Sequence, residues 1–528
     1  MNKLALISVA AVLAASPATA QRTVGTWNSV ANCEPAQAES VDFEIGNMRT
    51  PVRNDGLLFW SPGGSGLEVP SGSGNYAIWR GFLQIAGIRD GDTLAVAGTH
   101  TDASWWPGGI PATKSSCANA DQLVEHRFSA DRRQQQEATT QWGHAYGAPV
   151  LDGDGDPSNF DPDAGDRAIA FGDAMVNWVM NDVGNAHVGT IPSGPMGLEV
   201  RGTVFGFDSH GVISNALFHR FEITNTGPTA LRETYFGVHV DADLGNFRDD
   251  RIAIDSSRGL GFFFNGDNDD DGGYGLAPPA IGIQLLEGPA PVWTSFFPIE
   301  CSGCLYTGRP RDPPGVHRNL SGHWLDGQPF TRGAHGRSWT DQPTSLFFTG
   351  DPITGAYWSE VTPTIPFYGS IEPGDRHAYF GVGPTTLEAG QTQVFVFAAL
   401  WSRGSDNLDS IRQLREDSDF LDSAKDAILT PRVLHYETAS AAGLDLAVGV
   451  FPNPASTEVF AVFRLPESMM TSVKVYDILG REVSSRIGVL PPGETKLRFS
   501  TRLWSPGLYL LRLTAGQTSG IRRIVVEH

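Results

Sequence analysis

The chain has 528 residues, 40% of them hydrophobic. That is long enough for several domains of ~150 residues each and apolar enough to fold around a core, which excludes a disordered chain. The formal net charge of −21 repels polyanions and so argues against nucleic acid and anionic membranes as partners. With 61 glycines and 35 prolines, the composition favours short strands joined by turns.

The first 20 residues read as a signal peptide. Lys3 supplies a positive start, Leu4 to Ala15 an apolar run, and Ala18-Thr19-Ala20 small residues before a cleavage point at Gln21. The run is shorter than the ~20 apolar residues that span a bilayer. The expected product is an exported chain with no membrane span. Four cysteines follow, Cys33, Cys117, Cys301 and Cys304. In an oxidising compartment an even count favours disulfides. Pairing of Cys33 with Cys117 and Cys301 with Cys304 is the simplest of three arrangements. The Cys301-Ser302-Gly303-Cys304 spacing also suits a redox pair or part of a metal site, although no second CxxC completes a four-sulfur zinc set.

Residues 21–443 are dominated by strand-like stretches, among them Glu199–Phe205, Leu217–Ile223, Thr234–Val240 and Gln393–Ala399. One helix is predicted over Leu408–Ile428, where Ile411, Leu414, Phe420, Leu421, Ala424 and Ile428 recur at helical spacing and Pro431 closes the run. The fold class expected is mostly β: a large β-sandwich-like body with long loops, built as one unit or as two packed sandwiches.

Three acidic clusters punctuate this body. Asp152, Asp154 and Asp156 alternate with glycine and are followed by Asp161, Asp163 and Asp166. Asp241, Asp243, Asp249 and Asp250 follow a predicted strand. Asp267, Asp269 and Asp271 belong to a run ending in Gly272. Calcium takes roughly six to eight oxygen ligands from a flexible loop, and alternating Asp with Gly can turn several carboxylates inward. Structural calcium is therefore expected. Solvated turns are the plainer alternative, since Asp and Gly favour turns in any case. In the second cluster the charges need a cation, or Arg248 and Arg251, to offset their repulsion.

Catalytic motifs are sparse. No GxSxG elbow and no HExxH zinc motif occurs in the sequence. Glycoside hydrolysis needs two carboxyl groups roughly 5 to 9.5 Å apart, and Glu199, Glu222 and Asp241 are the candidates on or beside strands. His219 and His239 also fall on strands, where a lone histidine is more often packed than a ligand. Trp105-Trp106 is the one aromatic pair expected to leave a ring exposed, because neighbours on a strand face opposite ways.

From residue 444 the pattern changes to short alternating segments: Glu458–Phe463, Ser472–Asp477, Lys496–Phe499, Gly507–Leu513 and Ile521–Val526. Turns at Leu479-Gly480-Arg481 and Pro491-Pro492-Gly493 separate them, as in a small antiparallel sandwich. The motif Pro452-Asn453-Pro454, the turn from Val475-Tyr476-Asp477 to Gly480-Arg481, and the strand from Gly507 resemble, in order, the type A sorting domain of the type IX secretion system. That resemblance implies transport across the outer membrane by the type IX machinery. In that family the tail is often removed and the protein attached to surface lipopolysaccharide.

The body also resembles large secreted proteins that carry the same tail, through Pro195–Val200, Asp241–Gly245 with Asp249-Asp250, Phe264–Asp267 and Pro278–Gly282. No activity comes with that likeness. The expectation is thus a signal peptide (1–20), a β-rich body (21–443) and a sorting domain (444–528). The body would act as a calcium-stabilised, non-catalytic adhesion or polymer-binding protein, with a secreted polysaccharide hydrolase as the alternative.

Overall fold

The computed structural model describes residues 38–62, 64–98, 105–110, 124–127, 142, 147–155, 159–184, 191–296, 310–333, 336–337, 342–362, 371–434, 448–465, 468–478, 481–515 and 518–527. The signal peptide, the four cysteines and Asp156 lie outside the described residues.

Two large sheets form the body. In the first, the strands run in the spatial order Pro291–Phe296, His377–Leu387, Leu231–Asp241, Arg80–Arg89 and Leu57–Leu58, then Met48–Arg53, Leu67–Glu68 and Tyr76–Ile78. The second is ordered Trp106–Pro107, Ala174–Asn181, Leu198–Gly206, Ala216–Asn225, Thr392–Ser402, Ala280–Glu287, Leu260–Asn265 and Asp250–Asp255. These neighbours pair antiparallel. Some neighbours are consecutive in sequence, but Thr392–Ser402 lies between Ala216–Asn225 and Ala280–Glu287, and Leu231–Asp241 lies between Arg80–Arg89 and His377–Leu387, so both sheets also join strands far apart in sequence.

The second sheet is apolar on both faces. Along Thr392–Ser402 the odd residues Phe395, Phe397, Ala399 and Trp401 join a core shared with Phe236, Val238 and Val240 of the first sheet. The even residues Val396, Ala398 and Leu400 join a separate core with Ile411, Leu414, Leu421, Ala424 and Ile428. Side chains alternate faces along a strand, so a strand covered on both sides loses its polar alternation. The second cover is the helix Asn407–Leu429, whose N-cap Asp406 accepts a hydrogen bond from the Asp409 amide. The predicted helix is present within a residue of its expected ends. A shorter helix, Pro313–Leu320, was not expected from the sequence. It is capped by Asp312 and packs Val316 and Leu320 against Ala86, Ala95 and Tyr235 on the outer face of the first sheet.

His219 is one of the packed strand histidines. It is 2% exposed, stacks on Phe397 at 4.6 Å and meets Phe59 edge-on at 5.1 Å. Burial lowers its pKa from 6.5 to about 3, so it is neutral in the folded protein near pH 7. An unfolded histidine gains its proton as pH drops through 6.5, and the folded one does not. The stability held above pH 6.5 is therefore lost as pH falls from 6.5 toward 3, by about 1.4 kcal/mol per pH unit. In His219→Leu, the difference in denaturation free energy between pH 7 and pH 5 should shrink by about 2 kcal/mol relative to the parent. An unchanged pH slope would show that this side chain becomes protonated while folded.

The tail has its own core. Glu458–Leu465 lies between Gly449–Phe451 and Gly493–Ser500, and faces a sheet of Glu482–Leu490, Met469–Asp477, Gly507–Ala515 and Thr518–Val526. Val459, Ala461, Phe463 and Leu465 alternate inward to meet Val473, Val475, Leu511, Leu513 and Ile524. Each marker motif has a mechanical role. The Asn453 side chain mimics a strand's backbone: its Nδ2 donates to the Arg523 carbonyl at 3.1 Å, and its Oδ1 accepts from the Val525 amide at 2.7 Å. Asp477 clamps its turn by accepting from both the Arg481 amide (3.0 Å) and the Arg481 Nε (2.7 Å).

Asn453→Ala removes both bonds to the last strand, at about 0.5–1.5 kcal/mol each. Hydrogen exchange at the Val525 amide should accelerate about tenfold or more, as expected for a lost bond of that strength. Exchange at the parental rate would show that Asn453 does not hold the strand.

Candidate functional site

Two groups of described residues bring three metal-ligating atoms within 4.8 Å of one another: Asp152, Asp154 and Asp166, and Asp241, Asp375 and His377.

The first group is a loop folded around its own carboxylates. Asp152 Oδ1 accepts from the amides of Asp154 (3.1 Å) and Gly155 (2.6 Å). Asp166, 1% exposed, accepts from Gly153 (2.9 Å) and Asp161 (2.7 Å). Asp161 in turn accepts from Asp163 and Ala164 at 3.0 and 3.1 Å. Gly153 is obligatory here, because a Cβ at that position would sit 2.2 Å from the Gly165 carbonyl. The result is three carboxylates gathered at one point. Hard oxygen donors in that arrangement suit calcium.

The second group grows out of strand register on the outer face of the first sheet. Asp241 ends its strand directly opposite Arg80 on one neighbour and His377 on the other. Asp241 Oδ2 accepts from Arg80 Nε at 3.2 Å, and Asp241 Oδ1 lies 3.1 Å from His377 Nε2. Asp375, two residues before His377, brings its Oδ1 to 3.2 Å from the same Nε2. The other ring nitrogen, His377 Nδ1, is 3.3 Å from His239 Nε2. His239 is sandwiched between Phe82, stacked at 4.4 Å, and Tyr379 at 4.9 Å. Arg376, between the two ligands in sequence, points the other way and is buried against Glu360 at 2.8 Å.

Charge is concentrated here. Burial raises the pKa of Asp241, opposed by His377 and reinforced by Asp375. Burial, with Asp241 and Asp375, pushes Asp243 up to about 7. Burial holds the His239 pKa well below its usual value, helped by His377 and Arg80. The offset expected from Arg248 and Arg251 is supplied otherwise. Arg251 donates to the Ile371 carbonyl and Arg248 lies over the Phe247 ring at 5.1 Å, while Arg80 and His377 face Asp241.

The remaining candidates are dispersed. Asp250 is fully buried and accepts from the Leu244 amide at 3.0 Å; its pKa is raised well above the usual range by burial and by Asp249, Asp243 and Asp270. Burial also raises Asp249. Asp267, Asp269 and Asp271 are exposed, and Asp267 spends an oxygen on the Asp269 amide at 2.9 Å. These three do not converge as a ligand set. Their unremarked neighbour Asp270 is the buried one, accepting from the amides of Asn246 and Tyr274 at 2.9 and 2.5 Å.

Glu199 is buried and accepts from the Ile110 amide at 2.8 Å, and Glu222 pairs with Arg220 two residues earlier. Both therefore hold structure in the second sheet. Trp105 is 2% exposed with its Nε1 on the Leu83 carbonyl at 3.1 Å, and Trp106 keeps a partly exposed ring.

Asp375 and His377 were not singled out in the sequence. A partial signal exists: His239-x-Asp241 is an i, i+2 pair on one face of a strand, and Asp375 stands two residues before His377, the first residue of its strand.

Residues 449–527 match the family described as the secretion system C-terminal sorting domain. The tail anticipated from its motifs is thus a sorting domain, and the chain is a secreted or cell-surface protein whose tail engages type IX secretion machinery. No helix among the described residues is long and apolar enough to cross a membrane. No curated protein matches the sequence. Among solved structures, the chain resembles a polysaccharide lyase at 10% identity and a TM-score of 0.20, covering 74% of this chain and 42% of that one. It also resembles dimeric latent PorU from Porphyromonas gingivalis at 10% identity and a TM-score of 0.16, covering 67% of this chain and 31% of that one. The chain spans less than half the length of either, and likeness at this level carries no argument about activity.

Proposed function

We propose that the body is a calcium-stabilised, non-catalytic binding module, displayed at the cell surface by its sorting tail and acting in adhesion or polymer binding. The observation that supports this reading is the structural use of two of the three strand carboxylates considered for acid–base work. Glu199 holds the Ile110 amide and Glu222 is paired with Arg220, whereas Asp152, Asp154 and Asp166 gather as hard oxygen donors do around calcium. Signal-peptide cleavage ahead of Gln21 and attachment to surface lipopolysaccharide belong to the same proposal.

The test is a panel of extracellular polysaccharides presented to the full chain in calcium. Retention on at least one polymer, with no change in its chain length, is the expected result. Release of shortened or unsaturated sugars would replace the binding reading with a carbohydrate-cleaving one.

A further inference from the structure

We propose that Asp241, Asp375 and His377 form a binding site for a first-row transition-metal dication of the zinc class, separate from the calcium loop. Three features of the geometry carry this.

The ligand atoms already stand at the edges of a small coordination shell. His377 Nε2 lies 3.1 Å from Asp241 Oδ1 and 3.2 Å from Asp375 Oδ1. Tetrahedral ligands at ~2.0–2.1 Å from zinc are about 3.3–3.4 Å apart, close to both separations from His377, and the two carboxylate oxygens lie within 4.8 Å of each other. An imidazole nitrogen among the donors favours zinc, iron, nickel or copper over calcium and magnesium, which take oxygen.

Each ligand is also held from behind, as metal ligands are. Arg80 Nε binds Asp241 Oδ2, the oxygen not turned toward His377. His239 Nε2 faces His377 Nδ1 at 3.3 Å. Arg376 ties the ligand-bearing segment to buried Glu360. Outer-shell partners of this kind fix the ring tautomer and orientation of a ligating histidine. Without metal, a single N–H on His377 Nε2 serves two carboxylates. With metal, Nε2 would lose that proton and offer its lone pair to the ion, and the neutral ring would carry its one proton on Nδ1, facing His239 Nε2.

The charges match as well. Asp241 and Asp375 bring two carboxyl groups to one imidazole, and the one guanidinium bonded to them is that of Arg80 on Asp241. A dication among these donors offsets the repulsion between the two carboxyl groups. Access comes from the Asp375 side, where the side chain is 37% exposed while those of Asp241 and His377 are 5% and 8% exposed.

The experiment is equilibrium dialysis of the full chain against zinc in excess calcium, so that the acidic loop is already filled, with cobalt absorption as the spectroscopic readout. One equivalent of zinc is expected, displaced by cobalt with the visible bands of a nitrogen–oxygen site. His377→Ala should weaken binding about 100-fold or more. Asp375→Asn should do the same at a half-exposed position where the fold is not at stake, checked by an unchanged circular dichroism spectrum. Asp152→Asn should leave zinc uptake at the parental level. Failure to take up one equivalent, or uptake unaffected by both His377→Ala and Asp375→Asn, would overturn the proposal. Neither result bears on the polymer-binding reading, which rests on different residues.

Discussion

Removing calcium with a chelator should lower the melting midpoint of the body by several degrees, and returning calcium should restore it. A ligand bound only by the folded state stabilises it by about 2.7 kcal/mol when present at about 100 times its dissociation constant. On the proposed reading the ion would sit in a loop whose backbone is already wrapped around Asp152, Asp161 and Asp166, and chelation would leave the carboxylates of Asp152, Asp154 and Asp166 facing one another. The effect should be localised by substitution. Asp154→Asn, at an exposed position, should abolish most of the calcium-dependent shift while changing the metal-free midpoint little. Asp267→Asn, Asp269→Asn and Asp271→Asn should leave the shift intact, because those side chains do not converge. A midpoint indifferent to calcium in the parent protein would reduce the first cluster to a hydrogen-bonded turn and remove calcium from the proposed function.

The second large effect is on delivery. Deleting residues 449–527 should abolish appearance of the body at the cell surface or in the medium and leave it inside the outer membrane. The body should remain folded there, because the tail core of Val459, Phe463, Val475 and Leu511 is separate from the cores of the body. Cell fractionation with an antibody to the body reads the outcome directly, and protease resistance of the retained protein distinguishes failed sorting from misfolding. Undiminished surface display of the truncated chain would show that another segment carries the address.

These two predictions rest on parts of the chain that differ in how far sequence alone exposes them. The tail was legible almost strand by strand. Its sheets are buried on one face only, so Val459, Ala461, Phe463 and Leu465 alternate with outward residues and the period of two survives. The motifs Pro452-Asn453-Pro454 and Asp477 to Arg481 are local, since each makes its turn within a few residues. The helix over 407–429 was legible for the same reason, a single buried face at helical spacing.

The body was legible as β-rich but not in its layering. Strands such as Ala174–Asn181 are buried at every position, Asn177 and Asn181 included, so no polar alternation marks which face meets which sheet. The short helix Pro313–Leu320 carries two prolines and a glycine, a composition that argues against helix in isolation. Asp312 capping and the contact of Leu320 with the sheet decide it.

The acidic clusters divide along the same line. Asp152 and Asp154 are neighbours in sequence, and a turn rich in glycine is enough to bring them together. Composition therefore sufficed to mark them, although buried Asp166 makes the set complete only through the fold. Asp241 is different. It is 161 residues from Arg80, and its partners His377 and Asp375 come from the start of a strand and the segment just before it, more than a hundred positions later. The sequence by itself determined the export address, the strand-forming pattern and the local acidic loop, because each depends on residues a few positions apart. Only the tertiary structure decided which carboxylates face a histidine, because antiparallel register across three strands sets that meeting and no local pattern encodes register between strands so far apart.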